Sequence, residues 1–142
     1  MFVLDTDVLS LIDQHESGRS DRLILRLEQA APDSLFATII SFEEQMRGWM
    51  SYISQARTIS EQIYAYEQLE RHLASWKRVR TLSFTESAAS IAADLRRRYR
   101  RLGLMDLRIA AITMAHDATL VTSNVRDFSM IDDLRIEDWT AE

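Results

Sequence analysis

Short apolar runs alternate along this chain with longer stretches of helical periodicity, and that alternation limits what it can fold into. Phe2–Leu4, Leu35–Thr38, Val79–Phe84 and Thr119–Thr122 read as strands, with Leu134–Ile136 as a short fifth. Between them, apolar residues recur every three or four positions. Leu23, Ile24, Leu27 and Ala31 form one such face, stopped by Pro32-Asp33-Ser34. Phe42, Met46, Trp49, Met50 and Ile53 form a second, and Ile59, Ile63, Tyr66, Leu69, Leu73 and Trp76 form a third predicted interior face. Ala88, Ile91, Ala92, Leu95, Tyr99 and Leu102 make a fourth. Asp106–Ala115 is apolar nearly all round, as a fully buried helix would be. Strands that alternate with helices pair in parallel through right-handed crossovers. The predicted fold is a three-layer α/β/α domain with a parallel central sheet of four to five strands.

Capping signals set the predicted helix starts. Ser41-Phe42-Glu43-Glu44, Thr58 with Glu61, and Ser83 with Glu86 each have capping-box spacing. Asp13 to Asp21 reads as polar loop or frayed helix. With three glycines and one proline in 142 residues, no linker or repeat stands out, and residues 1–142 read as one domain. The absence of cysteine excludes disulfides, thiolate zinc sites and cysteine nucleophiles. No apolar run approaches the roughly 20 residues that span a bilayer. No basic segment leads an apolar one at the start, so a cytoplasmic protein without membrane contact is expected.

Acids stand where a parallel sheet would gather them. Asp5 follows the first strand, Glu44 begins the helix after the second, and Asp106 begins the buried helix. Asn124 and Asp127 follow the fourth strand, whose last residue is Thr122. Ligands of open parallel sheets bind beyond the carboxyl ends of the strands. Two like charges 4 Å apart repel by roughly 4 kcal/mol at an effective dielectric of 20. A divalent cation between them relieves that cost, and oxygen-only ligands suit Mg²⁺ or Mn²⁺. Such a metal orients phosphate, acidifies bound water and stabilises a leaving oxygen, which is phosphodiester hydrolysis chemistry. Each acid also has a structural reading: Asp5 as a turn residue, Glu44 as a capping-box acid, Asp106 as a dipole-favoured carboxylate, Asp127 as an acid behind an Asn124 cap.

These residues sit in LDTDVLS (4–10), ISFEEQMRG (40–48), GLMDLRIAAITMAHDATLVTSNVRDF (103–128) and LRIEDW (134–139). In that order and spacing the chain resembles the PIN-domain ribonucleases, specifically the VapC-type toxins of prokaryotic toxin–antitoxin pairs. The resemblance implies a Mg²⁺-dependent endoribonuclease, with Mn²⁺ as a substitute. It places the metal on Asp5 and Asp106 and gives Glu44 a water-mediated ligand or water-orienting role. Ser41 and Gly48 fix the register that selects Glu44 over Glu43. The family's fourth acid falls on Asn124, so Asp127 is taken as the assisting carboxylate, and the second metal position is open. Thr6, Ser41, Thr122 and Asn124 are expected to support the site. The resemblance further implies an RNA substrate, a small cognate antitoxin and a homodimer.

The formal charge of −5 argues against a general nucleic-acid coat but not against a local basic groove. RRRYRR at 96–101 supplies Arg97 and Arg101, which share a predicted helical stripe with Asp94. These arginines read either as RNA or antitoxin contacts or as a solvated, ion-paired helix face. Arg47, Arg108 and Arg126 lie beside the acids in sequence and are candidate phosphate contacts. His15, His72 and His116 share no ligand spacing. Two further readings stand beside the ribonuclease. One is a catalytically weak PIN-like module that binds RNA or a protein partner without turnover, motivated by Asn124. The other is a DNA-directed or flap-type nuclease.

Overall fold

A computed structural model of the chain describes residues 1–14 and 18–141. Five strands, β1 (Phe2–Leu4), β2 (Leu35–Thr38), β3 (Thr81–Leu82), β4 (Thr119–Val121) and β5 (Arg135–Glu137), form one sheet in the order β3-β2-β1-β4-β5. Every pairing is parallel. Helices α1 (Thr6–Gln14), α2 (Gly18–Gln29), α3 (Ile39–Gln55), α4 (Ile59–Trp76), α5 (Glu86–Arg98), α6 (Leu104–Ala115) and the short α7 (Val125–Phe128) make the connections.

The period-two alternation of the strands builds two cores. Val3 and Leu120 join a large core with Leu95, Leu107, Ile109, Ile112 and Phe128. Their neighbours Leu4 and Val121 join a smaller core with Val8, Leu23 and Trp139. The sheet thus lies between two apolar layers, the expected three-layer arrangement. Helix α6 has Leu107, Ile109, Ala110, Ala111, Ile112 and Thr113 all buried, which explains its lack of a polar face.

Several boundaries differ from the sequence reading. Asp13 lies in α1 and Asp21 in α2, so both ends of the predicted loop are helical; residues 15–17, His15 among them, lie outside the described residues. Helix α3 starts at Ile39 because the Thr38 side chain accepts the Ser41 N–H, so Thr38 is the cap and Ser41 is inside. Glu44 therefore sits in the second turn and is not a capping-box acid. Thr85, not Ser83, caps α5, by accepting the Ala88 N–H. Only Thr81–Leu82 of the predicted Val79–Phe84 run pairs as strand, and Phe84 is exposed. Helix α5 ends at Arg98, so Arg101 falls in the turn beyond it and leaves the predicted stripe. The Thr58–Glu61 capping box is present as expected. On α4, however, Ile59, Ile63, Tyr66 and Leu73 are exposed, while Ala65 and His72 are the buried residues. The helix turns its small and imidazole side chains inward and leaves its larger apolar stripe in solvent.

Candidate active site

The strand-to-helix junction at Asp5 anchors the site. Its backbone N–H donates to the Val121 carbonyl at 2.9 Å, continuing the β1–β4 ladder, and its own carbonyl accepts the Leu9 N–H of α1 at 3.0 Å. One residue therefore ends the strand and starts the helix, and its side chain stands at the carboxyl edge of the sheet. The Thr6 N–H donates to Asp5 Oδ1 and the Thr122 hydroxyl to Asp5 Oδ2, both at 2.8 Å. Asp5 is only 3% exposed. Burial pushes its carboxyl up to about 7, against those two hydrogen bonds, with further upward pressure from Asp7 and Asp106.

Glu44 projects from α3 to meet the same junction. The Thr6 hydroxyl lies 2.8 Å from Glu44 Oε1 and 2.9 Å from the Ser41 hydroxyl. A hydroxyl carries one proton. The carboxylate can only accept, so Thr6 donates to Glu44 and Ser41 donates to Thr6. Burial raises the Glu44 carboxyl above its ordinary range, opposed by the Thr6 hydrogen bond. Asp106 occupies the first turn of α6, where the dipole favours an anion. Burial and the charges of Glu44, Asp127 and Asp7 outweigh that and raise its carboxyl to about 6. Asn124 Nδ2 donates to Asp127 Oδ2 at 3.2 Å. The Asn124 N–H donates to Thr122 Oγ1 at 2.9 Å, which links the β4–α7 loop to Asp5.

The structure therefore brings Asp5, Thr6, Ser41, Glu44, Asp106, Thr122, Asn124 and Asp127 into one neighbourhood. Asp7, in the first turn of α1, was not singled out as a site residue, yet its charge acts on Asp5, Glu44 and Asp106 alike. The LDTD spacing that placed Asp7 one short turn from Asp5 was its only sequence signal. Arg47 and Arg108 line a cleft of about 400 Å³ together with Glu44 and Asp106. Arg47 also pairs with Glu43 at 2.6 Å. The remaining arginine candidates stand apart: Arg97 pairs with Asp94 on the α5 surface, as does Arg98, and Arg101 is exposed.

Among the described residues, no group of three or more His, Asp or Glu side chains is gathered into a ready metal-ligand set. Mg²⁺ is commonly held by only one or two carboxylates, with waters and substrate phosphate completing its octahedron. Asp5 and Asp106, of which the second raises the proton affinity of the first, offer that kind of donor pair.

Thr122 tests the wiring of the site. Thr122→Val keeps the shape but leaves the Asp5 carboxyl one donor short and the Asn124 N–H without its acceptor. The expected cost is about 1–3 kcal/mol of stability in urea unfolding, with the Asp5 carboxyl titrating higher still by NMR.

A parallel α/β domain with mutually repelling acids at the carboxyl edge of its sheet describes a class of phosphodiester-directed folds. The PIN domain model matches residues 2–134, and the chain belongs to that family. It is 26% identical to Ribonuclease VapC1 of Haemophilus influenzae over 99% of this chain and 98% of that protein. It is 34% identical to the tRNA(fMet)-specific endonuclease VapC of Shigella flexneri over 58% of this chain and 71% of that protein. The solved VapBC-1 complex from nontypeable Haemophilus influenzae superposes with a TM-score of 0.67 at 26% identity, covering 99% and 98% of the two chains. The resemblance to VapC-type members of the family is thereby borne out.

Proposed function

We propose that this protein is a metal-dependent endoribonuclease and the toxin of a toxin–antitoxin pair. The observation that carries this reading is the convergence of Asp5, Glu44 and Asp106 at the carboxyl edge of the sheet, each with its carboxyl raised. The similarity to VapC ribonucleases and to a VapBC complex supports it.

In this reading Asp5 and Asp106 hold Mg²⁺, with Mn²⁺ as a substitute. When bound, the ion supplies a Lewis acid that polarises the scissile phosphate and acidifies water. Thr6 fixes the Glu44 carboxylate through its hydroxyl, and Glu44 accepts a proton from the attacking water. Asp127, tethered by Asn124, adds negative charge beside Asp106 and strengthens the site's preference for a cation. Arg47 and Arg108 flank Glu44 and Asp106 in the neighbouring cleft and contact backbone phosphates. A cytoplasmic location, a homodimer and a small antitoxin partner complete the proposal. Among the described residues, no helix is long and apolar enough to cross a membrane.

The deciding experiment incubates purified protein with a mixed structured RNA and with single-stranded DNA, in Mg²⁺, Mn²⁺ or EDTA. Asp5→Asn purified identically runs beside it. RNA cutting that needs metal and vanishes in the variant is the expected result. Equal traces from both proteins would overturn the enzyme in favour of a binding module, and preferential DNA cutting would reassign the substrate.

A further inference from the structure

Glu44 stands between two clefts of different chemistry. One is the Arg47 and Arg108 cleft. The other, of about 690 Å³, opens between α3 and α4 and shares Thr6 and Glu44 with the catalytic acids. Its walls carry Trp49, Tyr52, Tyr64 and His72. The Trp49 and Tyr52 rings meet edge-on at 5.9 Å, and Tyr52 meets Tyr64 at 6.4 Å.

His72 is the unusual member. It is 6% exposed, and its Nε2 is buried without a hydrogen-bond partner among the described residues. Phe42 stacks on its ring at 6.2 Å and Trp76 meets it edge-on at 6.1 Å. Burial lowers its proton affinity, against the charge of Asp13, and so favours the neutral ring, which has one donor and one acceptor nitrogen. Buried polar atoms are nearly always partnered, so the unpartnered nitrogen of this cleft-lining residue is a bond left open, which a ligand atom completes when the ring turns toward the cleft. Gln45 gives its carbonyl to the Trp76 indole N–H at 2.9 Å and keeps its amide NH₂ as a further donor.

We propose that the α3–α4 cleft is a nucleobase subsite, taking an unpaired base of RNA next to the scissile phosphate, with Trp49 and Tyr52 as stacking faces and His72 Nε2 reading the base edge. This deepens the ribonuclease reading and rests on it. Single-stranded RNA is recognised through splayed bases stacked on aromatic rings and hydrogen-bonded at their edges. Asp13 and Glu44 also line the cleft, and their charge disfavours a phosphate there while tolerating a neutral base. The other cleft that Glu44 lines, with Arg47 and Arg108, suits the phosphates. Base and backbone are thereby sorted to two clefts that share one carboxylate.

Gly48 provides the test. A Cβ built there meets nothing within 4 Å, so Gly48→Leu projects into open space at the cleft. The change also strengthens helix α3, so loss of binding cannot be ascribed to unfolding. Tyr52→Ala is the second variant, removing a stacking face without touching an acid. Mixed-sequence single-stranded RNA 10-mers are titrated in EDTA, following tryptophan fluorescence and the ¹⁵N resonances of His72. Wild type is expected to quench and shift, and both variants to bind about tenfold or more weakly. Cleavage-site sequencing in metal is expected to show weakened base preference beside the cut.

Unchanged RNA affinity and cleavage preference in both variants, with His72 unmoved in wild type, would overturn the subsite and leave the nuclease intact. Variants that lose a protein partner but keep RNA would assign the cleft to that partner, which also overturns it. A His72 response to RNA without metal-dependent cleavage would retain the subsite and sink the nuclease. Failure of wild type both to bind and to cleave RNA would sink both.

Discussion

Asp106→Asn is expected to cut metal-dependent RNA cleavage by about a thousandfold, a loss of roughly 4 kcal/mol in transition-state stabilisation. The acid is half-buried in the first turn of α6 and lines a cleft together with Glu44. Its carboxyl feels Glu44, Asp127 and Asp7 at once. Removing its charge deprives the site of half its donor pair and leaves Asp5 to hold the cation alone. The same substitution is expected to raise the melting temperature of the metal-free protein, because it relieves repulsion that only a cation otherwise offsets. A purely structural helix-start carboxylate predicts the opposite sign, a loss of about 0.3–1 kcal/mol. Cleavage rates and metal-free melting curves, measured on the same preparation, separate the two. A variant that both cleaves normally and melts earlier would remove Asp106 from the chemistry.

Metal-free protein is expected to lose stability as pH rises from about 4 to 7, and added Mn²⁺ is expected to restore it only above about pH 6. The folded chain holds the Asp5 proton up to about pH 7 and the Asp106 proton up to about 6, whereas unfolded aspartate releases it near 3.8. Between those limits the folded state binds more protons than the unfolded one, so unfolding becomes easier with rising pH. The favourable contribution is complete below the unfolded value and gone above the folded values. For Asp5, which is almost fully buried, the swing is of the order of 2–4 kcal/mol. Metal binding requires the ionised acids, so protons compete with it, and the metal-induced shift in melting temperature should grow from pH 5.5 to 8. A pH-independent metal shift would place the cation somewhere other than these two acids.

The sheet was legible because its strands are short, apolar and bounded by polar residues. Phe2–Leu4 and Leu35–Thr38 match the observed strands residue for residue. The all-round apolar pattern of α6 was equally clear, since nothing but burial explains it. Boundaries set by hydroxyl caps were less legible. Thr38 and Ser41 both carry hydroxyls near the start of α3, and spacing alone cannot say which accepts the other's N–H. Thr85 competed with Ser83 in the same way. The acids were found because strand ends and the family resemblance agreed on Asp5, Glu44 and Asp106. Asp7 escaped because its effect is purely through charge: it adds potential to three neighbours without a hydrogen bond that a motif would mark. The α4 stripe misled for a different reason. Periodicity identifies an apolar face but not which side of a helix the domain covers, and here Ala65 and His72 turn inward while Ile59, Ile63 and Tyr66 stay outside.

The bonds that set the acids in place join distant parts of the chain. The Thr6 hydroxyl reaches Glu44 across 38 positions, and Thr122 reaches Asp5 across 117. Contacts of such separation form late, because they wait on the closure of nearly the whole backbone. A growing polypeptide still on the ribosome therefore holds Asp5 without its hydroxyl donor until residue 122 has emerged and β4 has docked beside β1. Completion of the acid site is thereby deferred to the end of synthesis, when the last strands dock.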